Sequence, residues 1–160
     1  MNLQGPARFN VTYTPGKASI ICERGTPRFS GNSSGNKPKL YVFSRDNVPI
    51  YVGATVRSMG DRLRNGWKAT GESGFYGYRF RHEGSKVDLD VWADIDPVRQ
   101  RDPEMRSGSD IETIEAEVVY LFRHRTGQWP VYQTEIHFYQ SNADHHREAE
   151  KVIAHYEVFK

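Results

Sequence analysis

The sequence predicts a mixed α/β fold, and three observations carry that expectation. Two short apolar runs, at 40–43 and 50–52, flank a polar turn built around residues 45–49 and read as a β-hairpin. A third run, 87–92, alternates apolar and charged residues as a half-buried strand does. The stretch 109–127 repeats its apolar residues at helical spacing: Ile111, Ile114, Val118, Val119 and Phe122 fall in one stripe at about 100° per residue.

Taken in order, residues 8–13 and 20–22 read as two strands parted by a Pro15-Gly16 turn. Residues 30–36, Ser-Gly-Asn-Ser-Ser-Gly-Asn, have the composition of a flexible linker. The central hairpin follows, with Gly53 directly after its second strand and a short helix over about 58–64. Residues 71–74 form a loop, 75–82 are aromatic and basic, and 96–108 form a polar loop. The helix from Ser109 opens with a capping box to Glu112 and stops at Gly127. Residues 133–139 suggest a further strand. Ser141 or Asn142 caps a last helix to about 158, with Ala149, Val152, Ile153 and Tyr156 as its apolar face. The expected division is an N-terminal extension and linker at 1–37, a core at 38–140, and a C-terminal helix at 141–160 packed on the core.

At 160 residues the chain has the length of one ordinary domain with a real core. No apolar run approaches a membrane span, and the N-terminus lacks a signal-peptide core. The single cysteine, Cys22, excludes an internal disulfide framework and a cysteine-based zinc site. The cytoplasm is therefore the expected compartment. The net charge is only +2, but it is unevenly spread. Residues 39–81 hold eight Lys/Arg against three acids, whereas 82–121 hold eleven acids against four bases. One basic face suits phosphates, although a solvated charge mosaic gives the same counts.

Three clusters carry potential chemistry. The hairpin offers Tyr41 and Tyr51, one from each strand, and the helix after Gly53 offers Arg57, Arg62 and Arg64. Two phenols and a guanidinium at one end suit a phosphate; the plainer reading is an aromatic hairpin with a solvated basic helix. Glu115 falls near the middle of the apolar stripe on its helix. A carboxylate there is costly unless an arginine or a metal ion compensates it, and both readings stand at this point. In the run 75–82, aromatics interleave with Arg79, Arg81 and His82, as bases and phosphates require or as an amphipathic strand requires. Asp144-His145-His146 reads as a helix cap rather than a metal site, and Asp88, Asp90, Asp94 and Asp96 read as the wet face of a strand.

The segment 39–64 resembles the GIY-YIG nuclease superfamily. Lys39-Leu40-Tyr41 matches the first motif at its tyrosine but not at its glycine, and Tyr51-Val52-Gly53 matches the second closely. Arg62-Leu63 fits the family's Arg-Leu pair, one residue further from the glycine than is common, and Thr55 stands at a small-hydroxyl position. Glu115-Ala116-Glu117-Val118-Val119 follows the family's metal-glutamate context. Pro130-Val131-Tyr132-Gln133 carries glutamine at the asparagine position, Gly66 occupies a His/Tyr slot, and Ala54 a lysine slot.

The resemblance implies a small domain: a three-stranded antiparallel central sheet flanked by helices, with an N-terminal β appendage and a C-terminal helix. It implies a metal-dependent DNA endonuclease of stand-alone restriction or phage type. Glu115 would hold one Mg2+ or Mn2+ ion, Arg62 would stabilise charge on phosphorus, Tyr41 would activate or orient water, and Tyr51 would position phosphate or water. Arg57, Arg64, Lys68, Arg79 and Arg81 are the candidate DNA contacts, with His82 and Gln133 as accessory groups. A two-strand cut by so small a chain would favour a homodimer. The altered glycine and asparagine positions support a second reading, a nucleic-acid-binding module on the same fold that does not cut; a third is an unrelated α/β protein using these residues only in its core.

Overall fold

Asp46 and Asn47 adopt left-handed backbone angles, with φ of 50° and 62°. Short polar side chains tolerate that region, and two such residues in succession twist a hairpin in the sense its strands require. The turn is therefore tighter than 45–49, and the strands it joins are longer than the apolar runs alone suggest. They are β3 (Lys39–Arg45) and β4 (Val48–Thr55). Pro49 lies inside β4, opposite Ser44 just past a register shift, which an edge strand accommodates because one row of its amides needs no partner.

The protein is described by a computed structural model over residues 1–96 and 109–156. Most of the polar loop expected at 96–108 lies outside the described residues, as do the Ser109 side chain and residues 157–158 of the last expected helix, which ends at Ala154 rather than about 158. The other elements are β1 (Leu3–Thr14), β2 (Lys17–Cys22), α1 (Met59–Lys68), β5 (Lys86–Asp94), α2 (Ser109–Thr126) and α3 (Ala143–Ala154).

The three-stranded central sheet is corrected by the pairing. The sheet has five antiparallel strands in the order β2-β1-β5-β3-β4. The N-terminal strands are no appendage: β1 pairs along β5 from Leu3 opposite Asp94 to Thr12 opposite Lys86. β5 would otherwise present a long unpaired edge, and β1 covers it. The expected strand at 133–139 is also absent, since residues 133–140 adopt no regular structure. The basic run ends in a single 3-10 turn, Arg79–His82, rather than a strand.

Both faces of the sheet are covered. Leu40, Val42, Val52 and Trp92 pack under α2 and α3, including Ile114, Val118, Phe122, Val152 and Ile153. Tyr41, Phe43, Leu89 and Val91 pack on the other side with Met59, Leu63 and Trp67 of α1 and with Tyr78 and Phe80. This explains why every residue from Lys39 to Ser44 is buried: β3 lies between two strands and two helical layers. The second layer also overturns the wet-face reading of β5. Asp90 and Asp94 are buried. Asp90 receives two hydrogen bonds from the Arg8 guanidinium, both 2.7 Å, and one of 2.9 Å from the Tyr156 hydroxyl.

Lys39 stands where the first motif would have glycine, and its ammonium is fully buried. It donates to the carbonyls of Gly35, Lys37 and Arg57, so all three protons are used. These bonds tie the 30–36 stretch, expected as a linker, to the turn that begins α1. In the C-terminal part of the chain, Asn142 caps α3 by accepting from the Asp144 and His145 amides.

Candidate active site

Tyr41 and Arg62 meet because β3 and α1 share one side of the sheet. The Tyr41 phenol lies across Gly53 on the neighbouring strand; a methyl group at Gly53 would sit 2.4 Å from the Tyr41 hydroxyl oxygen. The glycine after the second strand is thus the space the tyrosine occupies. Arg62 Nε–H then donates to the Tyr41 hydroxyl at 2.8 Å. A third phenol completes the arrangement: Tyr78 donates to the Tyr41 hydroxyl at 3.3 Å and reaches the Arg62 carbonyl at 3.5 Å. Its ring packs on Gly66, where an added methyl would lie 2.3 Å away. Gly66, the unexpected residue four positions after Arg62, is the room that Tyr78 needs.

Tyr41 and Tyr78 are fully buried. Burial pushes both phenols above their ordinary value of 10, and the Arg62 charge offsets only part of that. At neutral pH they are neutral hydroxyls that orient a guanidinium. The Tyr41 hydroxyl, expected to activate or orient water, has no solvent exposure. Tyr51 is half-buried on β4, with its ring 6.2 Å from Tyr41 and 5.5 Å from Tyr78. Its phenol is also pushed up, first by burial and then by Tyr41.

Glu115 is brought to the same place from α2, on the opposite layer. It lines a cavity of about 320 Å3 together with Tyr51, Ala54, Arg62, Phe75 and Glu112. Burial raises its carboxyl to about 8; Arg62 opposes the shift, and Glu112, one turn earlier, adds to it. A carboxylate so placed is stabilised by a cation, and the Glu115 and Glu112 carboxylates offer the oxygen donors that a hard divalent ion prefers. Among the described residues no three His, Cys, Asp or Glu side chains gather as a metal cage. A single carboxylate with retained waters is nonetheless a common way to hold Mg2+, so the site fits that ion.

Arg62, Ala54, Phe75 and Glu112 also border an adjoining cleft of about 700 Å3, which is lined further by Arg57, Asn65, Lys68 and Thr70. Arg62 therefore lines both the cavity that holds Glu115 and a cleft whose wall carries Arg57 and Lys68 beside Glu72 and Glu112. The predicted DNA contacts divide accordingly. Arg57 and Lys68 are exposed and face the cleft. Arg64 is exposed and pairs with Asp61 at 2.8 Å. Arg79 is exposed over the Tyr76 ring, 5.4 Å from its centroid. Arg81 has a different employment: it donates to the carbonyls of Tyr76, Tyr78 and Ala69 at 2.7–2.9 Å and fastens the 72–78 turn to the end of α1. His82 is exposed on its 3-10 turn and is not among the residues lining either cavity.

Gln133 takes a supporting position. Its side-chain oxygen accepts the Val52 amide on β4 at 3.0 Å, and Tyr132 N–H donates to the Ile50 carbonyl at 2.9 Å. This lays the chain along the open edge of the sheet and carries Thr134, Glu135, Ile136 and His137 onto the wall of the Glu115 cavity. Sequence reasoning passed over Tyr78, Glu135 and His137. Tyr78 was visible only as one aromatic in a basic run, and no local signal marked the other two. Among known proteins the chain matches no family model, no curated protein and no solved structure.

Proposed function

We propose that the protein is a metal-dependent endonuclease of the GIY-YIG type that hydrolyses DNA phosphodiester bonds, in a stand-alone restriction setting. The observation that carries this reading is a convergence of side chains: Arg62, held by Tyr41, lines one cavity with Glu115 and an adjoining cleft with Arg57 and Lys68. Arg62 keeps guanidinium donors for a phosphate while Tyr41 occupies its Nε–H, so the planar fork is pre-oriented rather than free to search. It would neutralise charge that grows on the phosphoryl oxygens during attack. Arg57 and Lys68 would hold phosphates of the flanking strand, and Tyr51 would position the scissile group at the cavity mouth.

Glu115 would hold the divalent cation, Mg2+ or Mn2+, with Glu112 close enough to support it. When bound, that ion supplies Lewis-acid polarisation of the phosphate and steadies the leaving 3′ oxygen. The test is incubation of supercoiled plasmid with Mg2+ or Mn2+, beside Arg62→Ala and Glu115→Ala. Nicked or linear products that require metal and disappear in both variants, with both variants still folded, are expected. Uncut plasmid from several DNA sources with both metals would sink the enzyme reading, and salt-dependent binding without cleavage would point to the non-cutting module instead.

A further inference from the structure

Hydrolysis by water needs a group that accepts the water's proton, and the phenols around Arg62 are poorly placed for it. Tyr41 and Tyr78 have no solvent exposure, and the Tyr41 oxygen already accepts the Arg62 Nε–H and the Tyr78 hydroxyl. Burial raises all three phenols, Tyr51 included, away from the range in which they could act as bases at neutral pH. Glu115 is committed to the cation in the reading above. Glu112, Glu135 and His137 are the other carboxylates and imidazole lining the same cavity.

His137 stands apart from these carboxylates, because its neutral ring carries one nitrogen that donates and one that accepts. Its Nε2 lies 3.1 Å from Glu135 Oε1. A proton on Nε2 directed at that carboxylate leaves Nδ1 with a free lone pair, the tautomer a base requires. The pair is carried to the cavity by two anchors on the β4 edge, Gln133 on the Val52 amide and Tyr132 on the Ile50 carbonyl. The groups that share the cavity with the imidazole are Tyr51 from β4, Arg62 from α1, Glu112 and Glu115 from α2, Tyr76 from the preceding turn, and Glu135 beside it.

We propose that His137 is the general base of the hydrolysis and that Glu135 is the positioning residue that holds its ring. This rests on the nuclease reading. Nδ1 takes one proton from the attacking water as its oxygen bonds to phosphorus. The bond from phosphorus to the 3′ oxygen breaks, the leaving oxygen takes a proton from solvent, and the imidazolium returns its proton to solvent. No oxidant or reductant is involved.

The experiment is single-turnover cleavage of DNA with Mg2+, over about pH 5.5 to about pH 9, with wild type, His137→Ala, His137→Gln and Glu135→Gln. DNA affinity and melting temperature are measured alongside. His137→Ala and His137→Gln are expected to lose about 10²- to 10⁴-fold in rate with DNA affinity retained, and added imidazole is expected to restore part of the rate in His137→Ala. Glu135→Gln is expected to lose about 10- to 100-fold and to shift the acid limb of the pH profile. Wild-type rates in His137→Ala, or a loss that imidazole leaves unrestored while binding and melting are unchanged, would overturn the base assignment alone. A wild-type protein that binds DNA and cuts none would overturn the nuclease reading and the base assignment with it.

Discussion

The Tyr41 phenol and the Gly53 backbone occupy adjoining space so closely that neither can change alone. Gly53→Ala would place a methyl 2.4 Å from the hydroxyl oxygen that receives Arg62. We expect a stability loss of about 1–3 kcal/mol by urea titration, with cleavage falling further than stability because Arg62 loses its orienting partner. A variant as stable and active as wild type would mean the strand yields without disturbing the phenol. Glu115 makes a second prediction at this scale. Its carboxyl is raised from an ordinary 4.5 to about 8, so between those values the folded protein keeps a proton that the unfolded chain releases. The stability from this group is full below pH 4.5 and is lost as pH rises through about 8. Melting temperatures should show that decline in wild type and a flatter profile in Glu115→Gln, with Mg2+ or Mn2+ raising the wild-type value at the alkaline end. Superimposable profiles would remove the strained carboxylate from the account. Glu115 was legible because a carboxylate interrupts an apolar stripe. Tyr78 was not, since nothing in a run of aromatics says which ring reaches Tyr41.

Among the elements, the 72–78 turn shows how a charged residue of a basic run can be engaged within the fold. Arg81 sits in a basic, aromatic run that suggests nucleic acid, yet its guanidinium is used on three carbonyls. Gly77, with φ of +60°, lets the turn press against α1, where a methyl would lie 2.0 Å from the Gly66 carbonyl. Arg81→Ala should therefore cost about 1–3 kcal/mol and release Tyr78 from Gly66, read as a lower melting temperature and altered near-ultraviolet dichroism. If Arg81→Ala weakened DNA binding with no change in stability, the contact role would be restored. The segment 133–139 carries the complementary lesson. Its composition suits a strand, but after the backbone bond from Tyr132 to Ile50 the contact with β4 passes to the Gln133 side-chain oxygen, so the backbone ladder does not continue. The edge of β4 is thereby partly covered, and a segment free of the sheet is left to form the cavity wall.

For the molecule as a whole, the decisive pairing is β1 with β5. Removing residues 1–25 would strip Leu3 from one core and Phe9, Val11, Tyr13 and Ile20 from the other, each worth about 1.5–3 kcal/mol. It would also leave Asp90 buried without Arg8. Those losses approach the total stability of an ordinary domain, so the truncated chain should be unfolded by circular dichroism and urea titration. A truncated chain with a cooperative transition would show that the rest of the sheet folds without β1 and β2. At this scale the charges also regroup: Arg62 and Lys68 of α1 line a cleft, whereas Asp90 and Asp94 of β5 are internal. No described helix is long and apolar enough to cross a membrane.

The sequence by itself determined what depends on neighbours along the chain. The mixed α/β class, the hairpin and its turn, the stripe on α2 and the odd carboxylate within it all follow from periodicity and backbone preference over a few residues. Only the tertiary structure decided which strand covers which edge, which acids are buried, and which side chains gather around Arg62. Those outcomes depend on contacts between residues tens of positions apart, such as Tyr41 with Arg62 and Arg8 with Asp90. Local propensity is nearly indifferent among the pairings of five strands; the packing of two cores on opposite sheet faces is not.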